Sequence, residues 1–258
     1  MQMHFSKYQG TGNDFVIIDQ MVSSIDFTTA QLRKMCDRRF GIGADGVMLL
    51  RPSETADFTM VYYNADGNES SMCGNGGRCL VHFAHAMKYI GNATSFIAVD
   101  GLHAAEILND SVVSLKMNDV NTISEFENAF LLDTGSPHYV RFTNGVDKAD
   151  IVKEGRSVRY SPEFASDGIN VNLAEIRNDY IFVRTYERGV EDETLSCGTG
   201  VTATVIAAAN SGVVNGNEIK VMTRGGGLKV SFDRKNNIYT NIRLIGPAVC
   251  VFKGETDI

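Results

Sequence analysis

A chain of 258 residues with 43% apolar side chains can bury a proper core, as one large domain or two smaller ones. Its 31 acidic against 24 basic residues leave a net charge of -7. No lysine and arginine cluster interleaves with aromatics, which argues against nucleic acid as a partner. No apolar run approaches the ~20 residues of a membrane span, and Met1 to Lys7 lacks the apolar core of a secretion signal. The expectation is a cytoplasmic protein with no membrane partner.

In chain order, Val16–Asp19, Val47–Leu50 and Phe58–Tyr63 read as short strands partly buried on both faces. Thr28 to Phe40 reads as a helix capped by Thr28 or Thr29 and ending near Gly41. Asn75 to Tyr89 reads as a second helix, apolar on most sides and closed by Gly91. Strands at Phe96–Val99 and Val112–Leu115 follow.

The second half replays this order. Gly12-Asn13-Asp14 begins 61 residues before Cys73, and Gly135-Ser136-Pro137-His138 begins 62 before Cys197. Tyr63 and Asn64 precede Cys73 by ten and nine residues, while Tyr186 and Glu187 precede Cys197 by eleven and ten. Gly101 and Gly225 each follow their cysteine by 28. A duplicated domain accounts for this spacing. The lobes expected are 1–117 with 246–258, and 118–245, with a linker near Asn118–Asn121.

Five cysteines, at 36, 73, 79, 197 and 250, are an odd number in a chain without a secretion signal, so free thiols are expected. Cys36, Cys79 and Cys250 lie inside apolar patterns and read as small buried hydrophobes. Cys79, His82 and His85 stand three residues apart and fan over roughly 120° of a helix, so no metal site is expected. Gly225-Gly226-Gly227 lies between strand-like runs and reads as a turn, not a phosphate loop.

Cys73 and Cys197 differ from the others. Ser71-Met72-Cys73-Gly74-Asn75-Gly76-Gly77-Arg78 and Leu195-Ser196-Cys197-Gly198-Thr199-Gly200-Val201-Thr202 each place a cysteine just before a glycine-rich turn that opens into a helical pattern. The free N–H groups and positive dipole end of such a helix lower a thiol's pKa and bind an anion. Two such units suit inversion at a carbon stereocentre: one thiol removes the α-proton and the other returns one to the opposite face. The amides at Gly74-Asn75 and Gly198-Thr199 would hold the α-carboxylate and the charge developing on it. No cofactor is needed, and no lysine sits in a recognisable pyridoxal setting.

Gly12-Asn13-Asp14-Phe15, Tyr63-Asn64-Ala65-Asp66-Gly67, Met72 to Cys79, Pro137-His138, Tyr186-Glu187-Arg188-Gly189 and Ser196 to Gly200 resemble diaminopimelate epimerase, in order over nearly the whole chain. The resemblance implies an α/β (α+β) fold of two pseudo-symmetric lobes, each a mixed β-sheet wrapped around a central helix, often as a homodimer. It implies a cofactor-independent epimerase that interconverts LL- and meso-diaminopimelate for lysine and cell-wall synthesis. Its small-molecule amino-acid substrate would meet Cys73 and Cys197 as base and acid. Gly74, Asn75, Gly198 and Thr199 would hold the reacting carboxylate, and Asn13, Asn64, Asn170, Glu187 and Arg188 the ammonium groups and distal end. His138 and Glu187 would tune the thiols.

Three positions depart from the family pattern. Ser136 stands where the family often has Asn, Gly46 where some members have Gln, and the loop from Gly189 to Ser196 is one residue longer. Rival readings are a proline, hydroxyproline or histidine racemase, a cysteine hydrolase using Cys73 and His138, and a duplicated binding lobe without catalysis. Asn75 and Arg188 favour diaminopimelate, and a hydrolase has no use for Cys197.

Overall fold

A computed structural model describes residues 2–257. The chain forms two compact units, Met1–Leu115 with Gly246–Ile258, and Lys116–Ile245.

The first unit runs β1 (Gln2–Gly10), β2 (Asn13–Asp19), α1 (Thr29–Cys36), β3 (Gly46–Arg51), β4 (Phe58–Asn64), α2 (Gly74–Ala86), β5 (Ala93–Ala98), β6 (Gly101–Asn109) and β7 (Val112–Lys116). β1 and β2 pair antiparallel, β2 and β3 parallel, β3 and β4 antiparallel, and β4 and β5 parallel. An antiparallel meander through β6 and β7 completes the run. The two parallel joints are where the helices lie, because a parallel pair needs a crossover connection. Val16, Ile18, Val47 and Leu49 pack with Leu32 and Met35 of α1, while Phe15 and Met48 lie against Gly76 of α2. Burial on both faces is why these strands read as unbroken apolar runs.

The second unit runs β8 (Ile123–Phe126), β9 (Ala129–Asp133), β10 (Pro137–Phe142), α3 (Ile151–Arg159), β11 (Asn170–Ile176), β12 (Ile181–Glu187), β13 (Asp192–Thr194), α4 (Gly198–Asn210), β14 (Glu218–Thr223), β15 (Gly226–Lys235) and β16 (Ile238–Pro247). The last strand, β17 (Val249–Asp257), pairs antiparallel with β1 of the first unit. β8, β9 and β10 are antiparallel, β10 and β11 parallel, β11 and β12 antiparallel, β12 and β14 parallel, and β14, β15 and β16 antiparallel. This is the order of joints in the first unit, with β17, β1 and β2 matching β8, β9 and β10. The fold class is therefore α+β, each unit a mixed sheet with helices at its parallel joints.

α4 is buried at all but two of its thirteen positions, the mark of a helix enclosed by its sheet rather than laid upon it. It packs against β9, β10, β11, β12, β14 and β15. Thr202 and Thr204, buried within it, donate their hydroxyls to the carbonyls of Gly198 and Gly200 at 2.9 and 2.8 Å.

Several boundaries differ from the sequence expectation. Thr28 caps α1 through a capping box with Gln31, but the helix ends at Cys36, not near Gly41. The Asp37 carboxylate accepts the N–H groups of Arg39 and Phe40, both at 2.8 Å, and so draws the chain out of the helix. α2 ends at Ala86, and Gly91 does not close it. Lys88 takes the left-handed conformation instead (φ 64°), with Met87 N–H bonded to Phe83 and Tyr89 N–H to Ala84, both at 3.0 Å. β5 stops at Ala98, leaving Val99 exposed. β1 has no counterpart among the expected strands. Cys250 is only half-buried, not a core residue, because β17, which pairs with β1, has exposed side chains along its length.

Candidate active site

Cys73 is the N-cap of α2, with extended backbone angles (φ -107°, ψ 121°), and the first helical hydrogen bond runs from Gly77 N–H to its carbonyl at 2.7 Å. Its thiol donates to Asn13 Oδ1 at 3.5 Å, and Asn75 Nδ2 donates to the same oxygen at 3.3 Å. Asn13 Nδ2 donates in turn to Asp45 Oδ2 at 2.7 Å. Arg78, fully buried under the turn, donates to Asn75 Oδ1 at 2.9 Å and to the Gly74 carbonyl at 3.3 Å. Asn13, Cys73, Gly74 and Asn75 thus meet at one helix end. Asp45 and Arg78, which hold two of them, have no assigned role in the sequence reading. The parallel register of β2 and β3 pairs Phe15 with Gly46, so Asp45 comes opposite Asp14 and within reach of Asn13 next to it, which no local sequence signal announces.

Asp45 belongs to an ion network. Arg38 bridges it to Asp14, which also pairs with the buried Lys7 at 2.7 Å. Burial pushes the Asp14 carboxyl up, but the hydrogen bonds and charges of Arg38 and Lys7 outweigh it and hold the group at about 2.

Cys197 is the N-cap of α4 with nearly the same backbone angles (φ -110°, ψ 113°), and Val201 N–H bonds to its carbonyl at 2.9 Å. Its sulfur lies 3.4 Å from the Thr199 hydroxyl. Burial, and next the Glu187 carboxylate, push the thiol well above its usual range, against the opposing influence of the Thr199 hydroxyl and the Gly200 N–H. Cys197 therefore rests as a neutral thiol at neutral pH.

Ser136, Asn170 and Arg188 form a second cluster in the same unit. Asn170 Nδ2 donates to Ser136 Oγ at 2.9 Å and to the Pro137 carbonyl at 3.2 Å, and its Oδ1 accepts the Arg188 N–H at 2.8 Å. The exposed Arg188 guanidinium donates to the Asp167 carbonyl at 2.8 Å and reaches Ser136 Oγ at 3.5 Å. The serine hydroxyl thus gathers two donors as an acceptor. The loop after Arg188 is a tight turn, with Gly189 and Glu191 at positive φ and β13 returning along β12.

His138 is fully buried on β10. Asn172, two residues from Asn170 on the same face of β11, donates Nδ2 to the Tyr139 carbonyl at 3.0 Å and to His138 Nδ1 at 3.1 Å. The Tyr139 carbonyl can only accept, which fixes the amide, and Asn172 Oδ1 then accepts the Thr185 hydroxyl at 2.9 Å. Nδ1 is then the acceptor and the proton sits on Nε2, which has no hydrogen-bond partner among the described residues. Burial, then the charge of Arg188, lowers the imidazole pKa to about 3. Because the folded state refuses a proton that the unfolded chain accepts below about 6.5, stability is full above that pH and falls toward 3. Between pH 6.5 and 5 the loss is expected to be about 2 kcal/mol. Urea unfolding of wild type and His138→Asn at the two pH values measures it, and an equal slope in both would remove His138 as its source.

Asn64 ends β4 with its side chain exposed, directly across the ladder from Gly46. A Cβ at position 46 would stand 2.4 Å from the Tyr62 ring and 2.4 Å from the Tyr63 carbonyl oxygen. Gly46→Gln is therefore expected to destabilise by about 1–3 kcal/mol, since the backbone carbonyl cannot step aside as a flexible side chain would. A thermal melt at wild-type midpoint would show that the strand pair yields. Among the described residues no group of three or more His, Cys, Asp or Glu is placed to hold a metal ion. His82 bonds instead to Tyr8 and the Asp110 carbonyl, and His85 to the Gly91 carbonyl.

The family model of diaminopimelate epimerase matches residues 5–123 and 130–251. A diaminopimelate epimerase from Flavobacterium psychrophilum is 51% identical over 253 residues, covering 97% of this chain and 99% of the relative. One from Chlorobaculum tepidum is 42% identical over 95% of this chain and 98% of its own. Among solved structures, a phenazine biosynthesis protein of the PhzF family from Bacillus anthracis superposes with a TM-score of 0.77 at 15% identity, covering all of both chains. A hydroxyproline epimerase from Agrobacterium vitis, with bound trans-4-hydroxy-L-proline, has a TM-score of 0.71 at 14% identity over 99% of this chain and 92% of that one. At such identities the structural likeness establishes the fold alone.

Proposed function

This chain belongs to the diaminopimelate epimerase family, and on that premise we propose that it interconverts LL- and meso-diaminopimelate with Cys73 and Cys197 as its two proton-transfer groups. The observation that carries the reading is the recurrence of one device. Each cysteine caps a thirteen-residue helix, entered with backbone angles that agree within ten degrees. In each turn the helical N–H groups ahead of the first helical hydrogen bond offer an anion site to a carboxylate.

Inversion proceeds as follows. One thiolate takes the α-proton, the electron pair moves into an enolate-like carboxylate, and the opposite thiol delivers its proton to the other face. Charge and atoms balance without a cofactor. With Cys197 resting as a thiol, it is ready as the acid, and in that direction only Cys73, whose thiol is bonded to Asn13 Oδ1, must first give up its proton. In the reverse direction it must ionise, and the Glu187 carboxylate, which acts on this thiol, is the group assigned to take its proton. His138, with its proton on Nε2 and a pKa far below neutral, can serve an anion only as a neutral donor. Ser136, Asn170 and Arg188 are assigned the distal end of the substrate, and Asn13, Asn64 and Glu187 its ammonium groups.

Glu187→Gln is expected to lower the Cys197 pKa, because the carboxylate that opposes the thiolate is gone. Alkylation of the Cys197 peptide by iodoacetamide should then begin at lower pH, and an unmoved onset would remove Glu187 from the tuning of this thiol.

The reaction itself is tested in deuterium oxide. LL-diaminopimelate incubated with the protein should yield the meso form with deuterium at the inverted carbon, read by proton NMR and mass spectrometry. Exchange into proline, hydroxyproline or histidine but not diaminopimelate would move the chain to another racemase specificity. A trapped acyl adduct on Cys73 would make it a hydrolase. The family resemblance also carries a homodimer and a cytoplasmic setting, and no described helix is long and apolar enough to cross a membrane.

A further inference from the structure

Both carboxamides beside Cys73 are held in one orientation by charged groups. Arg78 can only donate, so the Asn75 atom it meets at 2.9 Å is Oδ1, and Nδ2 of Asn75 must face Asn13. At the other end the Asp45 carboxylate can only accept, so the Asn13 atom it meets at 2.7 Å is Nδ2. Asn13 Oδ1 is thereby turned to the Cys73 sulfur, 3.5 Å away. Asp45 does not stand alone. Its Oδ2 also accepts the Asp14 backbone N–H at 3.1 Å, and its Oδ1 accepts from Arg38 at 2.8 Å.

We propose that Asp45 is a positioning residue that locks the Asn13 carboxamide so that Cys73 meets an acceptor rather than a donor. An acceptor bonds to the S–H form and loses that bond on ionisation, so it favours the protonated thiol, whereas a flipped amide would present N–H and favour the thiolate. The lock keeps Cys73 from resting as a thiolate bonded to Asn13, which would blunt it as a base. The charged or ionisable groups of α2 that act on Cys73 are Arg78 and the buried Cys79, and both are unchanged by a substitution at Asp45. The inference rests on the reading of Cys73 as a proton-transfer group, but its test does not use turnover.

The rate of iodoacetamide alkylation of the Cys73 peptide is followed against pH in the full-length protein. In Asp45→Ala the Asn13 amide loses its charged acceptor and is held only by the longer bond from Asn75 Nδ2, at 3.3 Å against 2.7 Å, so it turns more readily; the Cys73 profile is expected to move down by about one unit, with about tenfold faster alkylation on its acid side. Asp45→Asn loses the charge but keeps an oxygen for the two donors, Asn13 Nδ2 and the Asp14 N–H, so its profile stays near wild type. This contrast separates positioning from charge, since loss of a nearby negative charge would shift both variants alike. Equal shifts in both, or no shift in Asp45→Ala, overturn the proposal. Asn13→Ala removes the acceptor itself and carries the test if Asp45→Ala does not fold: a downward shift supports the lock and an unmoved profile overturns it. Failure of the proton-transfer reading would show separately, as full epimerase activity in Cys73→Ala.

Discussion

Cys73→Ala is expected to slow epimerisation of diaminopimelate by about 10²- to 10⁴-fold, and Cys197→Ala by a similar factor, because in the proposed two-thiol reaction each removes one of the two proton-transfer groups. Neither side chain caps its helix with a hydrogen bond to the backbone of the first turn, so the loss is not one of helix stability. Thermal melts near the wild-type midpoint would accompany the lost turnover. The buried Cys36 supplies the contrast. It packs with Leu32 and Met35 against the first sheet, and burial holds its thiol at about 11, which suits filling space and not transferring protons. Cys36→Ala should cost stability and leave the rate per folded molecule unchanged. Near-normal epimerisation in Cys73→Ala or Cys197→Ala would end the two-thiol mechanism.

Arg188→Lys is expected to reduce kcat/KM for diaminopimelate by about ten- to a hundredfold, the worth of a charge-assisted bidentate contact of about 1.5–3 kcal/mol. The guanidinium is held by the Asp167 carbonyl and reaches toward Ser136, and a lysine ammonium cannot reproduce that planar fork. Lysine, which lacks the distal carboxylate, should be a poor substrate of the wild type and lose little further in the variant. Measuring both substrates on both proteins decides the matter. If Arg188→Lys left diaminopimelate unaffected, or cost lysine as much, the arginine would have no part in reading the distal end. Ser136→Ala is the milder companion: it removes the acceptor shared by Asn170 and Arg188 and is expected to raise KM with kcat little changed.

Local signals carried the two cysteine turns and the doubled plan of the chain. A cysteine ahead of a glycine-rich helix start can be read within eight residues, because first-turn geometry depends on neighbours in sequence. The apolar runs of β2, β3 and β4, the capping box at Thr28 and the repeated spacings are local or periodic in the same sense. Helix ends were harder, since Asp37 and Lys88 each stop a helix by a backbone conformation that no glycine announces.

Tertiary structure decided which polar groups meet and in what protonation state. The sequence alone placed Asn13 and Arg188 in matched motifs, but it took strand register and packing to set Asp45 beside Asn13, Asn172 beside His138, and Ser136 within reach of both Asn170 and Arg188. Those pairs lie up to 52 residues apart and share no periodic signal. The raised thiol of Cys197 and the depressed imidazole of His138 arise chiefly from burial, which belongs to the packed core and to no residue by itself. Thus the residue types and their spacing determined that this chain carries two thiols at two helix starts, whereas the long-range packing decided how each thiol is tuned, because desolvation and hydrogen-bond direction exist only once the chain has closed around them.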